Sequence, residues 1–107
     1  MKKYLITASY NANGTKGLLE DGGSRRKSEV QKMLEGLGGK MESFNYAFGE
    51  HDVYIISELP DDISAAAVGL RVKSTGLVSI STTVLLSPED IDAASKKSVS
   101  YRAPGEK

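Results

Sequence analysis

The run Val53-Tyr54-Ile55-Ile56, unbroken in β-branched and aromatic side chains, narrows the available folds more than any other stretch. A strand apolar on both sides reads as one covered on both faces, near the middle of its sheet. Just before it, Phe44, Tyr46 and Phe48 alternate with Ser43, Asn45 and Ala47, the pattern of a strand with one buried face. The two arms read as a hairpin through Phe48-Gly49-Glu50-His51-Asp52, with Gly49 expected to supply the positive φ of a short connection.

The rest of the chain falls into place around this hairpin. Tyr4, Ile6, Ala8 and Tyr10 share one face of a first strand, and Lys3, Leu5, Thr7 and Ser9 share the other. Thr15 is expected to cap a short helical turn that stops at Gly22-Gly23. Ser24 then opens a longer helix with Val30, Met33, Leu34 and Leu37 as its buried stripe, ended by Gly38-Gly39. After Leu59-Pro60, either Asp61 or Asp62 can cap the next helix, whose expected stripe is Ile63, Ala66, Ala67 and Leu70. Residues 77–86 alternate cleanly as a final strand, and Ser87-Pro88-Glu89-Asp90 starts a short terminal helix.

The order strand, helix, strand, strand, helix, strand predicts an α+β, ferredoxin-like βαββαβ sheet with a short C-terminal helix. Right-handed crossovers place the first and third strands in the centre. At 107 residues this is one domain, read as residues 1–100 with a tail over 101–107. Two helices cover one side of such a sheet. The other side carries Leu5, one side of the run Val53 to Ile56, Leu77 and Leu85, mixed with Thr7, Ser9, Ser79, Ser81 and Thr83. That mixture suits a second sheet enclosing a cavity, so a homodimer or higher oligomer of barrel type is expected. The competing arrangement folds the terminal helix or tail over that face.

Composition removes several function classes. Fourteen basic residues balance fourteen acidic ones, which leaves no overall pull toward nucleic acid or an anionic membrane. With no cysteine there are no disulfides or thiolate sites, a composition suited to the cytoplasm. No segment approaches the ~20 apolar residues that cross a bilayer.

Residues 1–105 resemble the GYD-domain family of small bacterial and archaeal proteins. The matching features are Tyr10, Gly14-Thr15-Lys16-Gly17-Leu18-Leu19, Gly22-Gly23 with Arg25-Arg26, and Leu37-Gly38-Gly39-Lys40. They continue through Phe48-Gly49-Glu50-His51-Asp52, Leu59-Pro60-Asp61, Pro88-Glu89 and Tyr101-Arg102-x-Pro104-Gly105. His51 stands where the family's naming motif has tyrosine, so no role of that hydroxyl carries over. The family is similar to the dimeric α/β-barrel superfamily, which includes cofactor-free monooxygenases, isomerases, haem proteins and stress-response proteins. The resemblance therefore implies a pocket and no particular chemistry.

His51, the only histidine, is suited to general base catalysis with Glu50 or Asp52 beside it, although hairpin tips are more often solvated surface. Asp52 next to a turn is first a holder of backbone N–H groups and second a base. Arg25 and Arg26 sit in a helix's first turn, where they would bind a carboxylate or phosphate unless they simply extend into water. Tyr10 and Tyr46 are candidates to line a ligand pocket. Glu50, His51 and Asp52 lack chelating spacing, and the glycine pairs lack nucleotide-loop spacing, so neither metal nor cofactor is expected. These features favour binding of a small apolar or aromatic molecule, with cofactor-independent oxygenase or isomerase chemistry as its enzymatic form. A non-catalytic regulatory or structural oligomerisation module is the alternative.

Overall fold

In the computed structural model, which describes residues 1–107, strand β1 (Lys2–Tyr10) lies antiparallel between β3 (Val53–Leu59) and β4 (Val78–Leu85). With β2 (Lys40–Tyr46) on the outer side of β3, the sheet order is β2-β3-β1-β4. Helices α1 (Ala12–Asp21) and α2 (Gly23–Gly36) connect β1 to β2, α3 (Asp62–Ser74) connects β3 to β4, and α4 (Pro88–Ser95) follows β4. This is the ferredoxin-like α+β arrangement. No helix is long and apolar enough to cross a membrane.

The core lies between sheet and helices. Tyr4, Ile6 and Ala8 of β1 and Val53, Ile55 and Leu59 of β3 are buried against Leu34 of α2 and Ala65 and Val68 of α3. Cross-strand partners Ile6 and Ile55 set the register at its centre. Gly39 brings the chain out of α2 so close to β3 that a Cβ would stand 2.5 Å from the Glu58 carbonyl oxygen. Only glycine fits there without moving backbone.

Several local expectations change. The cap of α1 is Asn11, whose side chain accepts the Gly14 N–H at 2.9 Å, while the Thr15 hydroxyl donates to the Asn11 carbonyl from within the first turn. A full helix therefore replaces the short turn, and Gly22, with φ of 80°, bends it into α2. Strand β3 is central as expected but alternates, with Tyr54 and Ile56 half-buried between fully buried neighbours. Gly49 has no positive φ. The connection runs from Ala47 to Asp52, closed by the Ala47 N–H on the Asp52 carbonyl at 2.9 Å, and a loop of that length does not need a left-handed residue.

The largest correction concerns α3. Its buried face is Ala65, Val68 and Val72, and Ile63, Ala66, Ala67 and Leu70 do not form the core stripe. Apolar residues occur on both sides of this helix, so periodicity alone cannot choose between them. Packing on the sheet fixes the choice, whereas the cap at Asp61, its carboxylate accepting the Ser64 N–H at 2.8 Å, fixes where the helix starts.

The helix-free side of the sheet has two zones. Lys3 pairs with Glu42 at 3.2 Å and Lys40 with Glu58 at 3.5 Å toward one end. Toward the other lie Thr7, Ser9, Tyr54 and Ser79, with Leu5 and Ile56 half-buried between the zones and Leu85 half-buried beside Lys3. The terminal segment does not cover this side. Residues 86–102 are exposed throughout, and the molecule extends 60 Å along its longest axis against 32 and 24 Å across.

Candidate functional site

Where the bend between α1 and α2 faces the loop after β2, the chain leaves a cavity of about 480 Å³. Its lining includes Tyr10, Leu18, Leu19, Tyr46, Phe48 and Asp52. Three side chains expected at a site, Tyr10, Tyr46 and Asp52, thus meet here from β1, β2 and the loop that leads into β3. The volume lies within the range of pockets that hold small ligands.

Local backbone chemistry explains the cavity's shape. A Cβ on Gly23 would stand 3.0 Å from Cε2 of Tyr46, so the glycine lets the ring lie against the start of α2. The Tyr46 hydroxyl then donates to the Gly23 carbonyl at 3.0 Å, and Phe44 packs edge-on to the ring with centroids 5.1 Å apart. Burial pushes the Tyr46 phenol above its ordinary pKa, the neighbouring Tyr10 adds to this, and Arg26 opposes it. The phenol is therefore held protonated at neutral pH, its one O–H given to the Gly23 carbonyl and its oxygen left as an acceptor. At the rim, Phe48 is fully exposed and Leu19 is 80% exposed.

Asp52 holds the floor in place. Its Oδ2 accepts the Tyr10 N–H at 2.8 Å, and its own N–H donates to the Ala8 carbonyl at 2.9 Å. One residue thereby fixes the end of β1 from both its side chain and its backbone, the turn-holding arrangement that aspartate favours.

His51 faces the other way. Its Nδ1 lies 3.4 Å from Ser9 Oγ, and its ring stands edge-on to Tyr54 with centroids 5.7 Å apart. Ser9 and Tyr54 belong to the helix-free side of the sheet, so His51 and Asp52 do not converge on one reacting atom. Glu50 is exposed, and no three His, Asp or Glu side chains form a ligand set for a metal ion.

Arg25 and Arg26 both lie in the first turn of α2, with no side-chain cap before them. Arg26 is half-buried and reaches Asp21 at 4.0 Å, whereas Arg25 is exposed. Sequence reasoning missed Leu18, Leu19 and the Ser9–His51 pair. In sequence the leucines read as part of a short turn, whereas the full helix α1 makes them a wall, and Ser9 can be matched with His51 only once the strand register is known.

A second polar cluster joins β1 to α3. The buried ring of Tyr4 sends its hydroxyl to Asp62 Oδ1 at 2.7 Å, and Lys2 Nζ reaches Asp62 Oδ2 at 2.9 Å. Burial and the Asp62 carboxylate push the Tyr4 phenol up to about 12. The Tyr4 hydrogen bond and Lys2 hold Asp62 below the ordinary carboxylate range, and the Ser64 N–H does the same for Asp61.

The family model of the GYD domain matches residues 4–95. Comparisons with curated proteins and with solved structures returned no match.

Proposed function

The chain belongs to the GYD-domain family, and from that premise we propose that it is a cytoplasmic homodimer or higher oligomer of α/β-barrel type that binds a small apolar or aromatic molecule between sheet and helices. The observation that carries this reading is the cavity of about 480 Å³ in which Tyr10, Tyr46 and Asp52 meet under an apolar rim of Leu19 and Phe48. Apolar walls would take up the ligand's body, and the Tyr46 phenol oxygen or the second oxygen of the Asp52 carboxylate would accept from one polar group of the ligand. The pairing of sheets would cover the half-apolar side that the chain's own terminal segment leaves open.

If the site is catalytic, the chemistry would be cofactor-independent oxygenase or isomerase chemistry, with Asp52 as base and Tyr10, or Tyr46 on exchanging the Gly23 carbonyl for the ligand, as hydrogen-bond donor. His51 would act from the barrel interior beside Ser9. Arg25 and Arg26, at the start of α2, would attract a ligand's carboxylate. The second reading, a non-catalytic oligomerisation module, is favoured by the exposed apolar residues of α3 and the terminal segment.

Of the five tyrosines, Tyr10 and Tyr46 line the cavity, so their ring signals report on the site and the other three serve as internal controls. Titration with a small aromatic probe such as 1-naphthol, followed by NMR, should perturb Tyr10 and Tyr46 first. The exposed-rim substitutions Leu19→Ser and Phe48→Ser should weaken that response while leaving the fold intact. Perturbations confined to other surfaces, or none at all, would overturn the reading.

A further inference from the structure

Helix α3 is apolar on two sides, and the chain covers only one of them. Ala65, Val68 and Val72 pack on the sheet, whereas Ile63 and Leu70 remain 80% and 72% exposed. A helix that is apolar all round belongs in a buried setting. Alongside the outward stripe, Leu70 and the β4 residues Ile80 and Val84 border a groove of about 560 Å³.

The same chain carries an apolar segment with nothing to pack on. Leu86, Ile91, Val99 and Tyr101 are all exposed, and α4 is held by the reciprocal hydrogen bonds of Ser87 and Asp90 at its start. A helix of this length is marginal in water without tertiary packing. Groove and segment each lack what the other offers.

Charge decides how they can fit. Helix α3 runs from Asp61 and Asp62 to Arg71 and Lys73, and the terminal segment runs from Glu89, Asp90 and Asp92 to Lys96 and Lys97. Antiparallel packing sets unlike charges side by side at both ends of the contact, and parallel packing sets like beside like. Within one chain, α3 is joined to β4 by the short link 75–77, and α4 begins after the two residues Leu86 and Ser87. Folding back across that link would lay α4 parallel to its own α3, acid beside acid. An α4 from a second copy is free to enter antiparallel.

We infer that the segment from Leu86 through Tyr101 of one copy docks antiparallel on the α3–β4 groove of a second copy, with the exchange returned by the partner in the manner of a two-fold interface. This surface is separate from the helix-free side of the sheet, and the inference does not rest on the pairing of sheets.

The absence of cysteine allows a direct test on the full-length chain. Leu70→Cys and Ile91→Cys place single thiols at exposed positions on the groove and on α4, and an Ala94→Cys variant covers a one-turn change of register. On mixing and mild oxidation, Leu70→Cys with Ile91→Cys or Ala94→Cys should give several-fold more mixed disulfide than Leu70→Cys with the control Lys32→Cys. Disulfide closure requires Cα atoms within roughly 7 Å, so random collision contributes little. Yields equal to the control would overturn the inference. So would a Leu70→Cys/Ile91→Cys double variant that closes its disulfide within one chain.

Discussion

The Tyr46 hydroxyl donates to the Gly23 carbonyl across 3.0 Å, so β2 and the first residue of α2 hold the candidate pocket between them. Gly23→Ala should disturb this contact, since its Cβ would meet the Tyr46 ring at 3.0 Å. The ring must shift, and aromatic-probe affinity should fall while the rest of the fold persists. Tyr46→Phe removes only the hydrogen bond and should cost about 1 kcal/mol of stability. Probe titration and urea unfolding of both variants check this.

Asp52 and His51 adjoin in sequence but should behave differently on substitution. Asp52→Ala leaves the Tyr10 N–H without its charged acceptor and should destabilise the protein by roughly 1.5–3 kcal/mol. His51→Ala removes one long contact to Ser9 and an edge-on ring contact, and should cost less than about 1 kcal/mol. Denaturant unfolding distinguishes the two. Equal losses would contradict the division of labour between the two sides of the sheet.

The cluster of Tyr4, Lys2 and Asp62 gives stability a pH dependence at both ends of the scale. Asp61 and Asp62 are held below their ordinary values, so their contribution is complete above the ordinary carboxylate range and is lost as pH falls through their lowered folded values. Tyr4 is raised from 10.0 to about 12, so its contribution is complete below 10.0 and is lost as pH rises toward about 12. Thermal melts across pH should show both declines. Asp62→Asn should flatten part of the acid limb, and Tyr4→Phe should flatten the alkaline limb.

Ser57 is fully buried on the helix side of β3, and its hydroxyl has no hydrogen-bond partner. An unpaired buried hydroxyl opposes folding, so Ser57→Ala should leave stability unchanged or raise it by on the order of 1 kcal/mol. A marked loss in urea unfolding would show that the hydroxyl is satisfied by something else.

The architecture was legible because its elements are locally consistent. The alternation of β1 and β4, the Ser87-Pro88-Glu89-Asp90 helix start and the hairpin around β3 each agree with the final strand order. The buried face of helix α3 is not legible in sequence because Ile63, Ala66, Ala67 and Leu70 keep helical spacing as well as Ala65, Val68 and Val72 do, and only packing tells the two faces apart. Tyr10, Tyr46 and Asp52 could be named as candidates, but their meeting depends on the β1–β3 register and on the bend at Gly22. Neither follows from spacing along the chain.

Native mass spectrometry of the freshly purified full-length protein reports assembly and retained ligand in one spectrum. A dimeric barrel with an occupied pocket gives a dominant species at twice the 11.5 kDa chain mass that sheds a small molecule on activation. A bare monomer at micromolar concentration would contradict both the pairing of sheets and the ligand.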